Sequence, residues 1–141
     1  MRIAYPYSIE PQPDGGFTAI FPDIPEAITQ GDSVVELAQM AEDALVTALS
    51  FYTDARQKLP RPSPSNGRPV AEVPALVAAK LALHDAMLKA GVTNVELSAK
   101  LGIDEKAVRR LRDPLHRSHI GQVEAALRSL GKRVSLSVLA A

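Results

Sequence analysis

Cysteine is absent from the 141 residues. That excludes disulfides, thiolate zinc sites and a cysteine nucleophile. Long apolar runs are missing too: no stretch approaches the ~18 residues that a membrane span needs. The start, Met1-Arg2-Ile3-Ala4-Tyr5-Pro6, has no uninterrupted apolar segment of the kind a signal peptide carries, so a soluble cytoplasmic protein is expected. There is no Gly-rich phosphate loop and no net charge of either sign. What is present is an ordinary globular balance, 46% hydrophobic and 23% charged, in a length suited to one domain or two small ones.

The zero net charge conceals two opposed halves. Residues 1–60 hold nine acidic and three basic side chains, and residues 61–141 hold seven acidic and thirteen basic ones. Such a division suggests two modules with different partners, an anionic one for the basic half and a cationic one for the acidic half. Between them Pro60, Pro62, Pro64, Pro69 and Pro74 alternate with Ser63, Ser65, Asn66 and Gly67. That composition cannot hold a helix, so 60–70 is read as a connector, with domains at 1–70 and 71–141.

The acidic half has the pattern of strands followed by a helix. Ile3, Tyr5, Tyr7 and Ile9 alternate, with Pro6 placing the strand at an edge or on a bulge. Pro13-Asp14-Gly15-Gly16 marks a turn, and Phe17, Ala19 and Phe21 alternate after it, so 1–22 is expected to form a hairpin. Ala27–Gln30 is a third short strand. Ser33 and Glu36 have capping-box spacing. Val34, Leu37, Ala38, Ala41, Leu45, Ala48, Leu49 and Tyr52 then form one apolar stripe of a helix running to about Ala55. A further strand near 71–73 could join the sheet. The fold class is therefore α+β, an antiparallel sheet with one packed helix, joined to an all-α region.

In the basic half Leu76, Ala79, Leu83, Met87 and Ala90 share one side of a helix that stops at Gly91. Val77, Leu81 and Leu88 widen its apolar arc, which marks a helix buried between neighbours; His84 falls inside the arc and is expected to be a packed core histidine. In 94–112, Leu97, Leu101, Ile103, Val108 and Leu111 are spaced to meet in one small core. Gly102 stands where a tight turn needs positive φ, and Asp104 is placed to cap the next helix. This is the helix-turn-helix pattern, whose second helix enters the DNA major groove. On that helix Glu105, Lys106, Arg109, Arg110 and Arg112 are candidate DNA contacts. Lys106 and Arg109 are expected to read bases, and Arg110, Arg112 and Arg117, with His116, to hold phosphates. Ser118 is expected to cap a last helix carrying Ile120, Val123, Leu127 and Leu130 and stopped at Gly131. Val134, Leu136 and Val138 then alternate as a C-terminal strand suited to pairing across a dimer axis.

Two stretches together resemble the HicB family of antitoxins. The first is Asp14-Gly15-Gly16-Phe17-Thr18-Ala19-Ile20-Phe21-Pro22-Asp23-Ile24-Pro25 with Thr29-Gln30-Gly31-Asp32-Ser33. The second is Leu111-Arg112-Asp113-Pro114-Leu115-His116-Arg117-Ser118, followed by Ala126-Leu127 and Leu130-Gly131-Lys132-Arg133-Val134. The chain departs from the family at Glu26-Ala27, where Gly-Cys is frequent. The resemblance implies a shortened RNase H-like N-terminal sheet without nuclease activity and a HicA-type messenger-RNA-cleaving toxin as partner. It also implies a C-terminal module that binds double-stranded operator DNA and represses the operon, in a homodimer or a dimer of dimers.

Asp14, Asp23 and Asp32 are the candidate toxin contacts, because turn carboxylates at sheet ends stand free of the core. An enzyme reading would need a two-metal carboxylate cluster, for which the same acids, with Glu10 and Glu26, are the candidates. Carboxylates in turns are usually solvated caps, so no enzyme, no metal and no cofactor is expected. His116 and His119 lack a third ligand. The competing function is a stand-alone helix-turn-helix repressor with a small-molecule-sensing N-terminal domain, which no aromatic cage supports.

Overall fold

The computed structural model describes residues 3–141, so the first two residues of the expected hairpin lie outside the described residues. The order is β1 (Ala4–Pro6), β2 (Ser8–Pro11), β3 (Phe17–Ile20), β4 (Ile28–Gly31), α1 (Val34–Asp54), β5 (Val70–Glu72), α2 (Ala75–Ala90), α3 (Asn94–Leu101), α4 (Glu105–Arg112) and α5 (Ile120–Ser129). The α+β class expected from the sequence is the class observed.

The alternating run at 3–9 forms two strands rather than one. Pro6 has no N–H to donate, and the chain changes partners there. β1 pairs antiparallel with β5, Tyr5 opposite Ala71, while β2 pairs with β3, Ile9 opposite Ala19. Tyr7 N–H goes to Pro69 O at 3.0 Å. β4 closes the other edge of β3, with Phe17 opposite Gly31. A Cβ on Gly31 would stand 2.8 Å from Leu37 N, so only glycine lets β4 pass this close to the first turn of α1. The Ser33 Oγ accepts from Glu36 N–H at 3.1 Å, as the capping spacing requires, and the Glu36 carboxylate reaches back to Asp32 N–H.

Leu37, Ala41, Leu45, Ala48 and Leu49 form the buried stripe of α1 against the sheet, together with Tyr5, Phe21 and Ile24. Val34, at the head of the expected stripe, is 51% exposed. At the Glu26-Ala27 departure, Ala27 is buried and the Glu26 carboxylate accepts the Tyr52 hydroxyl proton at 2.8 Å. The Pro-rich segment lies strapped to this unit: Tyr5 Oη–H donates to Pro60 O at 2.6 Å, and Asp23 Oδ2 accepts from Ser63 N–H and Oγ–H at 2.9 and 2.8 Å. Burial pushes the Tyr5 hydroxyl pKa up to about 12.

A second core lies between α2, α3, α4 and α5, built on Leu83, Met87, Leu97, Val108, Leu111, Val123 and Leu127. Helix α2 serves both cores. Ala71 of β5 and Val77 and Leu81 of α2 belong to the first; Leu83 and Met87 belong to the second. A division at 70/71 therefore falls inside β5. Ile103, expected in the small core, is 38% exposed, and so is Ile120 at 45%. After Gly131 the chain forms no strand among the described residues, and Leu136, Val138 and Leu139 are 75%, 90% and 78% exposed. A strand needs a partner for its backbone, and this segment finds none among the described residues.

Candidate functional site

Helices α3 and α4 meet at the expected turn. Gly102 closes it at φ 66, and Asp104 Oδ1 accepts Ala107 N–H at 2.7 Å to start α4. Thr93 caps α3 in the same way through Glu96 N–H. Val108 and Leu111 turn inward, which sends Lys106, Arg109 and Arg110 outward, all exposed. Arg109 is paired with Glu105 one turn back at 3.0 Å. Both are partly in solvent, so the pair contributes little to stability and leaves the guanidinium free to exchange partners.

Arg112 does not join this face. It is 6% exposed, with Nη1 donating to Asn94 Oδ1 at 2.6 Å and Nη2 meeting His84 Nδ1 at 2.7 Å. The expected phosphate role is thereby corrected: four residues past Val108 the side chain follows the buried side of α4, and its fork braces α3 and α2. His84 is the core histidine expected, fully buried, and its Nε2 lies 2.7 Å from Gln57 O. Only one tautomer satisfies both contacts, with the proton on Nε2 and Nδ1 accepting from Arg112. The chain Gln57–His84–Arg112–Asn94 thus runs from the end of α1 to the start of α3.

Burial first, and the Arg112 charge beside it, hold the His84 pKa below its ordinary 6.5. The unfolded chain takes up this proton near pH 6.5 and the folded protein does not. Stability from this residue is therefore complete above pH 6.5 and falls on acidification, at up to ~1.4 kcal/mol per pH unit. His84→Gln, whose amide can donate to Gln57 O and accept from Arg112, is expected to fold and to lose that slope. Urea unfolding at several values between pH 5 and 7 checks it.

A residue the sequence reading passed over fixes the end of α4. Lys80 is fully buried in α2, and its Nζ donates to Arg110 O at 2.8 Å, to Asp113 O at 2.9 Å and to His116 O. Ser118 Oγ takes a further contact at 2.9 Å. Ser118 is thus not the cap of α5. The N-cap position belongs to His119, without a side-chain hydrogen bond. Burial lowers the Lys80 pKa, and nearby Asp113 partly offsets this. His116 and Arg117 stay exposed on the pinned loop. His116 lines a groove of ≈ 300 Å³ with Ile103, Leu111 and Gln122, apart from the Lys106–Arg109 side.

The acidic candidates separate. Asp14 and Asp32 come together with Gln12, Gln30 and Glu36 around a cleft of ≈ 580 Å³ at the Phe17 end of the sheet. Asp23 sits beyond Ile20, at the opposite end, and its carboxylate is engaged by Ser63. Among the described residues no three His, Asp or Glu side chains converge as metal ligands, and no helix is long and apolar enough to cross a membrane.

The chain is thus a small sheet unit with an acidic end, joined through a shared helix to a helical unit with a basic outer helix. Residues 4–82 match the family described as HicB_like antitoxin of bacterial toxin-antitoxin system. Antitoxin HicB of Escherichia coli (strain K12) is 41% identical over 133 residues, covering 94% of this chain and 96% of that one. Antitoxin HicB 1 of Photorhabdus laumondii is 39% identical over 137 residues, 97% and 88% of the two chains. Antitoxin HicB of Pseudomonas fluorescens is 43% identical over 121 residues, 84% and 83%. The chain belongs to the HicB-like antitoxin family. The matched span ends inside α2, where the first core ends.

Proposed function

We propose that this antitoxin neutralises a HicA-type ribonuclease toxin through its sheet unit and represses its own operon through α3 and α4, without catalysis of its own. The observation that carries the reading is the opposite charge of two exposed features. The acidic cleft at Asp14, Asp32 and Glu36 belongs to one unit; the outward Lys106, Arg109 and Arg110 belong to the other. A ribonuclease must present cations to hold RNA phosphates, and an acidic surface is steered onto such a patch and covers it. Asp14 and Asp32 are the proposed contacts. Asp23 keeps a smaller share in this reading, because its carboxylate also holds the linker.

The double change Asp14→Lys with Asp32→Lys is expected to slow association with the toxin by tenfold or more at low salt, with an unchanged thermal midpoint, since both residues are exposed. Stopped-flow binding and a messenger-RNA cleavage assay check it. Native rates in the doubly reversed protein would remove the acidic cleft from the toxin interface.

For DNA, Lys106 and Arg109 are the proposed base contacts, with Glu105 beside them on the reading helix, and Arg110, Arg117 and His116 are the phosphate contacts. Two half-sites need two copies, and the unpaired tail with Leu136 and Val138 exposed supports a homodimer, or a dimer of dimers, joined there. Deleting residues 133–141 is expected to give a monomer by light scattering; a truncated protein that stays dimeric would place the interface elsewhere.

A further inference from the structure

Between the end of α1 and the outer side of α4 lies a cleft of ≈ 770 Å³. Helix α4 lines it with Lys106, Arg109 and Arg110, and α1 lines it with exposed Phe51, Asp54 and, just past the helix, Arg56. Five cationic side chains face it against two carboxylates, Asp54 and Asp113. The sheet unit is acidic on balance, yet at this edge it contributes a cation.

Arg56 is held there by its backbone. It follows the C-cap of α1 at φ 56, the left-handed position that glycine ordinarily fills. Gln57 N–H closes the turn on Tyr52 O at 2.9 Å. The Arg56 side chain is exposed, and its guanidinium has no partner among the described residues. Burial first, and then the Arg56 charge, lower the pKa of Arg112. Arg112 also lines the cleft, and its Nε is a buried donor with no partner. The Arg56 and Arg110 guanidiniums, on facing elements of one cleft, form a receptor for an oxyanion, and their planar forks suit phosphate.

We propose that this cleft seats a phosphate of the operator backbone, gripped by Arg56 from the sheet unit together with Arg110 of α4. The proposal rests on the DNA-binding reading of α4 and extends it: the unit assigned to the toxin also touches the DNA. Arg56 then positions the duplex and carries no base information.

The test uses the full chain and two duplexes of equal length, one from the DNA immediately upstream of its own coding sequence and one random. Affinity is measured across a salt series for the native protein, Arg56→Ala, Arg56→Lys and Arg61→Ala, the last a linker arginine outside the cleft. Arg56→Ala is expected to lower the salt slope by about one unit on both duplexes. Its affinity loss between roughly 50 and 200 mM salt is then about 3.5-fold smaller than the native protein's. Arg56→Lys and Arg61→Ala keep the native slope. If Arg56→Ala shows the native slope, or binds more tightly, while Lys106→Ala with Arg109→Ala loses the preference for the upstream duplex, the cleft is no phosphate seat although α4 still reads DNA. If the native protein binds neither duplex, the DNA-binding reading fails and the proposal falls with it.

Discussion

Lys80→Met is expected to destabilise the protein by about 1–3 kcal/mol, the cost of taking a buried donor from its acceptors. Methionine fills nearly the same volume, so no cavity explains the loss. What disappears is the ammonium donor shared by Arg110 O, Asp113 O and His116 O. Arg110 O keeps Asp113 N–H and Asp113 O keeps His116 N–H, so the His116 carbonyl is the one that loses its donor. A buried carbonyl left without a donor costs about 1–3 kcal/mol, and relief from burying an ammonium offsets part of the loss. Against a total stability of about 5–15 kcal/mol for a typical domain, that is a sizeable share. Urea unfolding measures it. A variant within 1 kcal/mol of native by the same assay would mean that the loop after α4 satisfies its carbonyls with water.

The second large effect concerns DNA. Lys106→Ala with Arg109→Ala is expected to remove about 2–6 kcal/mol of preference for the operator over random duplex, from two base contacts worth about 1–3 kcal/mol each. That is a fall in the specificity ratio between tens-fold and ten-thousand-fold. Both side chains are exposed, and Val108 and Leu111 hold α4 from its other side, so the fold should survive. Competition titration with the two duplexes reads the ratio directly. An unchanged ratio would falsify the assignment of α4 as the reading helix.

The local signals in the sequence were those whose physics is local. Ser33, Asp104, Gly91 and Gly102 each announced a helix end, and each sits at one. Apolar periodicity gave α1 and α2 to within a residue. The misreadings involve partners distant in sequence. The 3–9 run looked continuous because alternation says nothing about which neighbour a strand pairs with, and β1 finds its own in β5, over sixty residues away. Arg112 looked like a surface cation, and Lys80 drew no reading at all, because charge is read as exposure until a buried acceptor is known. A signal for Lys80 did exist. It lies three residues after Val77 and four before His84, on the apolar arc of α2, where a lone charge needs acceptors from another element. Asp23 misled for the opposite reason: a turn carboxylate is free only if the linker that follows does not fold back onto it.

Because α2 is built half into each core, the two units do not melt independently. Whatever grips the sheet unit raises the free energy of opening the helical one, by RT ln(1 + [L]/Kd), about 2.7 kcal/mol at a ligand concentration a hundred times Kd. A protease that waits for transient opening of the helices therefore meets a more resistant chain when the sheet unit is occupied and a more vulnerable one when it is empty. If the sheet unit binds a toxin as proposed, the lifetime of the antitoxin is tied, by mass action through one helix, to the amount of that partner present.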